Sequence, residues 1–167
     1  MLGDIIEPKL ALLICGYNPG GDSCVAGHYF ANPTHRFWKT LQWAGFAGDR
    51  ILVPAQDTEL LRYGIGLTDL LKDTRHGDPA EVSTADRERL RHLVVDYRPK
   101  IIAFLGKRPA SEYMSIPRRR IQWGITGKRI EGSRPVIAVM PDPSPTNGHF
   151  ETLKYHWRVL CDECKDL

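Results

Sequence analysis

Leu10-Ala11-Leu12-Leu13-Ile14-Cys15-Gly16-Tyr17-Asn18-Pro19-Gly20-Gly21 is an apolar run that ends at once in a turn. A short run of this kind, closed by glycine and proline, predicts a strand buried on both faces of a parallel sheet. Lys100 to Gly106 and Pro135 to Met140 repeat the pattern, each followed by a loop, and a shorter fourth strand is expected at Gly64 to Leu67. Helices are expected between and after them, at His35 to Ala44, Ser83 to Tyr97 and Phe150 to Cys161. Leu90, Leu93, Val94 and Tyr97 recur at helical spacing, with Ser83 as cap and Pro99 closing the helix. In the last helix Leu153, Trp157 and Leu160 share one face. Strands alternating with helices predict an α/β layer fold. No repeat or long linker divides the chain, so residues 1–167 read as one domain.

The composition fits that reading: 167 residues, 42% hydrophobic and 26% charged. A chain of this size buries roughly 70% of its unfolded surface, so its core needs neither disulfides nor a structural metal. The apolar runs fall far short of the roughly 20 residues that span a bilayer, and the amino end lacks a signal-peptide pattern. A cytoplasmic protein with no membrane contact is expected. Lys plus Arg is 23 against 20 Asp plus Glu, a net charge of +3, which is too small for a protein that coats polyanions. The charges are unevenly placed, however. Basic residues gather at Lys107-Arg108, Arg118 to Arg120 and Lys128-Arg129; acidic ones gather at Asp57 to Glu59, Asp78 to Glu88 and the carboxyl end. Cys161-x-x-Cys164 has no second half-site, and Cys15 and Cys24 have no ligand partner at matching spacing, so free thiols and no metal are expected.

In open parallel sheets ligands bind beyond the carboxyl ends of the strands. The loops there begin at Asn18-Pro19-Gly20-Gly21, at Gly106-Lys107-Arg108 and at Pro141-Asp142-Pro143-Ser144-Pro145. Gly16 and Gly20 would let a base or sugar approach the backbone, and Tyr29 and Phe30 would offer a stacking face in a polar loop. The first loop has neither G-x-G-x-x-G nor a Walker lysine, which argues against a nucleotide-binding protein of the doubly wound type.

Seven stretches appear in a telling order: Gly16-Tyr17-Asn18-Pro19-Gly20, Asn32-Pro33-x-x-Arg36-Phe37-Trp38-Lys39, Tyr63-Gly64-Ile65-Gly66-Leu67-Thr68, Tyr97-x-Pro99, Leu105-Gly106-Lys107, Gln122-Trp123-Gly124 and Met140-Pro141-x-Pro143-Ser144. With these the chain resembles the mismatch-specific uracil/thymine-DNA glycosylase family from about residue 8 onward. The resemblance implies a three-layer α/β fold, with a central, mostly parallel four-stranded sheet and helices on both faces. It also implies a monofunctional glycosylase of base excision repair that flips uracil out of DNA and leaves an abasic site.

By the same resemblance Asn18 positions the attacking water, and Phe30 stacks on the base. Gly16, Tyr17 and Gly20 approach the base through their backbone, and Ser144 completes the base pocket. Asp69 is a second catalytic candidate, because a carboxylate beside the pocket can orient or deprotonate the water. Its bland reading is a helix cap or turn residue. The DNA-facing residues are then Lys107, Pro143, Pro145, Thr146 and Asn147. Thr146 stands where the family's wedge residue stands but has little apolar bulk, and Asp142 and Pro145 change the loop's charge and stiffness. Weak dependence on the opposite base is therefore expected, with activity on single strands as well as uracil-bearing duplexes. Tyr17 replaces a smaller aliphatic residue, which favours uracil over thymine. No cofactor, no metal and a monomeric, bacterial-type cytoplasmic enzyme acting at the nucleoid complete the expectation. A same-fold glycosylase for deaminated purines, or a module that binds lesions without cleaving, are the alternatives left open.

Overall fold

The computed structural model describes residues 1–74, 80–130, 135–148 and 150–167, with only the backbone of Phe150; Asp78, in the acidic stretch, lies outside them. The central sheet has five strands: β1 (Leu12–Gly16), β2 (Ile65–Asp69), β3 (Ile101–Leu105), β4 (Gly124–Arg129) and β5 (Val136–Met140), in the order β2-β1-β3-β5-β4. β1, β2, β3 and β5 are parallel, and these are the four strands expected from the apolar runs. β4 is an addition, an antiparallel edge strand with a register shift between Ile125 and Arg129. Its sequence, Gly-Ile-Thr-Gly-Lys-Arg, carries one large apolar side chain and two glycines, so no period betrays it.

Five α-helices surround the sheet among the described residues: α1 (Gly21–Ala26), α2 (Phe37–Ala44), α3 (Thr84–Tyr97), α4 (Lys107–Met114) and α5 (Phe150–Lys165). A 3₁₀ segment covers Pro54–Tyr63 and a short one Arg118–Arg120. Ser83 caps α3 as expected, its hydroxyl accepting from the Asp86 amide, which returns its carboxylate to the Ser83 amide.

Alternation along the strands sorts the core into two layers. Leu12, Ile14, Ile65, Leu67, Ala103 and Met140 face α2 and α5, where Phe37, Leu41, Trp157 and Leu160 are buried. Leu13, Cys15, Ile102, Phe104 and Val139 face α3 and α4, with Leu90, Val94 and Ala110. Both faces of every parallel strand are thus covered, which explains their unbroken apolar runs. Cys161 is buried and Cys164 half-buried on α5, both as free thiols, and no helix among the described residues is long and apolar enough to cross a membrane.

From β1 the chain crosses to β2 on one side, then returns to place β3 on the other. The crevice between the carboxyl ends of β1 and β3 is therefore the switch point of the sheet.

Candidate active site

A cavity of about 620 Å³ opens at that switch point, and Asn18, Phe30, Asp69, Lys107, Ser144 and Thr146 all contribute to its wall. The loops after β1, β3 and β5 converge on it as expected. The glycine that ends β1 has a specific function. A Cβ on Gly16 would lie 2.3 Å from Asp69 Oδ1, so only glycine lets the carboxylate of the neighbouring strand lie across this position. The close approach at Gly16 is made by Asp69, whereas at Gly20 the nearest atom to an added Cβ, Ser23 Oγ at 3.8 Å, is an ordinary contact.

Asp69 is the last residue of β2, paired with Gly16, and only 3% exposed. It is neither an exposed turn residue nor a helix cap. Its Oδ2 is buried and has no hydrogen-bond partner among the described residues. Burial disfavours the charged form and pushes the carboxyl up to about 7, opposed by the positive charges of Lys72 and Arg89 and reinforced by Asp4. Those three groups form a network behind it. Asp4 Oδ1 accepts from Thr68 Oγ1 at 2.6 Å and from Lys72 Nζ at 2.8 Å; Asp4 Oδ2 accepts from Arg89 Nη1 at 3.2 Å. Arg89 Nη2 also donates to the Asp69 carbonyl, and Lys72 Nζ donates to the Tyr29 hydroxyl at 2.9 Å.

Asn18 is half-buried at the same cavity, its Nδ2 donating to Thr74 Oγ1 at 3.4 Å. An amide and a carboxylate of raised pKa therefore line one cavity, a pairing suited to orienting a water and taking its proton.

The aromatic pair divides. Tyr29 is buried, its hydroxyl committed to Lys72, and burial beside Asp69 raises its pKa. Both border the cavity, and Phe30 is the half-buried one. It adopts a left-handed backbone, φ +53°, uncommon for a bulky residue, and its ring stacks on Phe37 with centroids 3.9 Å apart. The loop is tied down by Asp57, whose Oδ2 accepts from the Tyr29 amide at 3.0 Å, and by Ser23 Oγ, which accepts from the Ala31 amide at 3.2 Å. Strain of this kind persists where the surroundings over-determine it.

Tyr17 follows the alternation of β1 and packs with Leu13 and Cys15 on the α3 and α4 side. The residue borders the cavity while its ring packs on that side.

The loop after β5 is stapled at both ends. Arg36, just before α2, donates from Nη2 to the carbonyls of Ser144 at 2.8 Å and Asn147 at 2.5 Å, and its amide donates to the Pro143 carbonyl at 3.1 Å. Asp142 Oδ1 accepts from the Ser144 amide at 3.0 Å, Ser144 Oγ lies 3.1 Å from Thr146 Oγ1, and Asn147 Nδ2 donates to the Asp142 carbonyl at 2.8 Å. Pro143, expected at the DNA, is instead buried beneath the loop; the exposed tip is Pro145 and Thr146, with Asn147 half-covered. Lys107 borders the cavity from the β3 side, its Nζ 4.8 Å above the Trp123 ring. Among the described residues no group of three or more His, Cys, Asp or Glu could hold a metal ion.

Arg36 was legible as part of a quoted motif but its staple was not, and Asp4, Lys72 and Asp57 carried no local signal at all. Their partners are 28 to 85 residues distant.

A family model described as the Uracil DNA glycosylase superfamily matches residues 4–162. Among solved structures, the chain is similar to a Methanosarcina acetivorans protein described provisionally as a uracil DNA glycosylase, whose structure was determined in solution. The identity is 20%, the alignment covers 98% of this chain and 96% of that one, and the TM-score is 0.68, a likeness of fold. The match of the family model over nearly the whole length gives the assignment: this chain belongs to the uracil DNA glycosylase superfamily.

Proposed function

We propose that this chain is a monofunctional DNA glycosylase that takes uracil from DNA and hydrolyses its N-glycosidic bond. The observation that carries the reading is the buried carboxylate of Asp69, which lines the switch-point cavity together with Asn18. In the proposed step the bond between C1′ and the base nitrogen breaks, and the base leaves with the electron pair. Backbone amides near Tyr17 and Gly20 stabilise that developing anion. The sugar left behind is oxocarbenium-like, and water attacks its C1′. Asn18 orients the water and Asp69, ionised, accepts its proton and offsets the sugar's positive charge. Phe30 supplies the stacking face that offsets the lost stacking of the flipped base, roughly 1–3 kcal/mol per base.

The reaction so written uses only water and these side chains, so neither metal nor cofactor enters. Its product is an abasic site in an intact strand, because no lysine is assigned to attack the sugar. Ser144, Pro145, Thr146 and Asn147 approach the gap in the helix, and Lys107 the backbone. The Arg36 staple makes that loop stiff, but a threonine tip fills little of the space the base vacates. The enzyme accordingly works on uracil in duplexes and in single strands, with modest regard for the opposite base.

Single-turnover base release from G:U, A:U, G:T and single-stranded uracil substrates, with hypoxanthine and xanthine beside them, tests this. Uracil release from all three uracil substrates is expected, with an intact abasic strand. Release from G:U alone would refute the weak opposite-base dependence, and purine release in place of uracil would refute the substrate. Tight binding without any release would leave a recognition module in place of an enzyme.

A further inference from the structure

Tyr17 and Arg108 form a rigid unit at the rim of the cavity. The Arg108 guanidinium lies on the Tyr17 ring, 4.0 Å from its centroid. Arg108 Nη2 donates to the Tyr17 hydroxyl at 2.9 Å, and Arg108 Nε donates to Glu112 Oε1 at 2.9 Å. The same hydroxyl donates to Glu112 Oε2 at 2.9 Å and lies 3.2 Å from the Ala80 carbonyl oxygen. Yet the Arg108 side chain is still 48% exposed. A surface arginine that only keeps a protein soluble has no need of such fixing; here ring, hydroxyl and carboxylate hold one plane from the inner side.

The surroundings select an anion. Glu112 is shared, with Arg118 Nη2 3.8 Å from its Oε1, so one carboxylate serves two guanidinium groups. Lys107, next to Arg108 in the chain, adds a third cation and lines the same cavity as Arg108. With Nε on Glu112 and Nη2 on Tyr17, the guanidinium is already fixed in direction and has little freedom left to lose when its remaining N–H groups meet a phosphate oxygen.

We infer that Arg108 is a phosphate anchor, holding a backbone phosphate of the strand whose nucleotide enters the cavity. The inference rests on the glycosylase reading for its ligand, and its test separates the two. Binding is followed by fluorescence anisotropy over a series of NaCl concentrations, on a labelled duplex carrying 2′-fluoro-2′-deoxyuridine opposite guanine, whose glycosidic bond resists hydrolysis. Each phosphate contact contributes about 0.9 to the slope of log K against log salt on duplex DNA and about 0.7 on a single strand. Arg108→Gln is expected to lower the slope by about that amount, and Arg108→Met, which keeps an aliphatic cover on Tyr17, by the same amount. Tyr17→Phe keeps the charge and the slope but weakens binding severalfold, because the guanidinium loses its hydroxyl anchor. Arg62→Gln, an exposed arginine before β2 at the opposite end of the sheet, leaves the slope unchanged. An unchanged slope in Arg108→Gln and Arg108→Met overturns the anchor, whether affinity is intact, as for a merely solvated arginine, or reduced, as for a base stacked on the guanidinium. A parent that releases uracil while these variants keep its slope leaves the glycosylase reading standing alone; a parent that does not bind the duplex overturns both.

Discussion

Replacing Asp69 by Asn should make the protein more stable at neutral pH while removing its activity. The carboxyl is held at about 7 in the folded chain against 3.8 for the free group. Between those values the native state keeps a proton that the unfolded chain gives up, so stability falls as pH rises, by at most about 1.4 kcal/mol per unit. Below about pH 4 both states are protonated and Asp69 exerts no penalty; above about pH 7 both are ionised and the penalty is constant. The full span from 3.8 to about 7 corresponds to roughly 4 kcal/mol, and the part between pH 5 and pH 8 to about 3 kcal/mol. An asparagine has no such titration. The assay is urea unfolding of parent and Asp69→Asn at pH 5, 6, 7 and 8, reading the difference between the two proteins so that the histidines cancel. The variant's advantage should grow by about 3 kcal/mol from pH 5 to pH 8. A difference independent of pH, or a parent that gains on the variant as pH rises, would refute the reasoning.

Other expectations come from the same geometry. Gly16→Ala puts a methyl 2.3 Å from Asp69 Oδ1, so the carboxylate must turn away and single-turnover uracil release should fall by roughly a hundredfold or more. Phe30→Leu keeps a side chain on Phe37 but removes the π-face, and binding of a uracil-containing single strand should weaken by about tenfold to a hundredfold in an anisotropy titration. Arg36→Gln releases the carbonyls of Ser144 and Asn147; release from a duplex should drop more than release from a single strand, where no helix has to be opened. Dialysis against a chelator should leave the release rate unchanged.

The parallel sheet was legible because its strands are buried on both faces and so read as unbroken apolar runs. Leu12 to Cys15 and Ile101 to Leu105 have no solvent side to interrupt them. β4 escaped because an edge strand with one large apolar residue has no pattern to show, and α4 because Pro109, tolerated in a first helical turn, reads as a breaker. At the site, Asn18 and Phe30 were visible from contiguous motifs. Asp69 was visible only as a carboxylate next to a strand; its burial depends on Gly16, which belongs to a different strand. Tyr17 was visible as a residue of the cavity, but the packing of its ring toward α3 and α4 was not, because a motif suggests proximity and not which face a side chain takes. The Asp4–Lys72–Arg89 network and the contacts of Tyr17 with Arg108 and Glu112 join residues far apart in the chain, and sequence order carries no trace of such pairings.

The central claim is that Asp69 and Asn18 together manage the attacking water. It is tested most directly by the pH dependence of single-turnover uracil release for the parent, Asn18→Ala and Asp69→Asn. The account predicts a parent rate that rises with pH through about 7 and then levels, as the carboxylate ionises. Asn18→Ala should keep that profile at a rate lowered by roughly a hundredfold or more, and Asp69→Asn should be slow and without the rise near 7. Parent-like release by Asp69→Asn, with the same rise near 7, would contradict it.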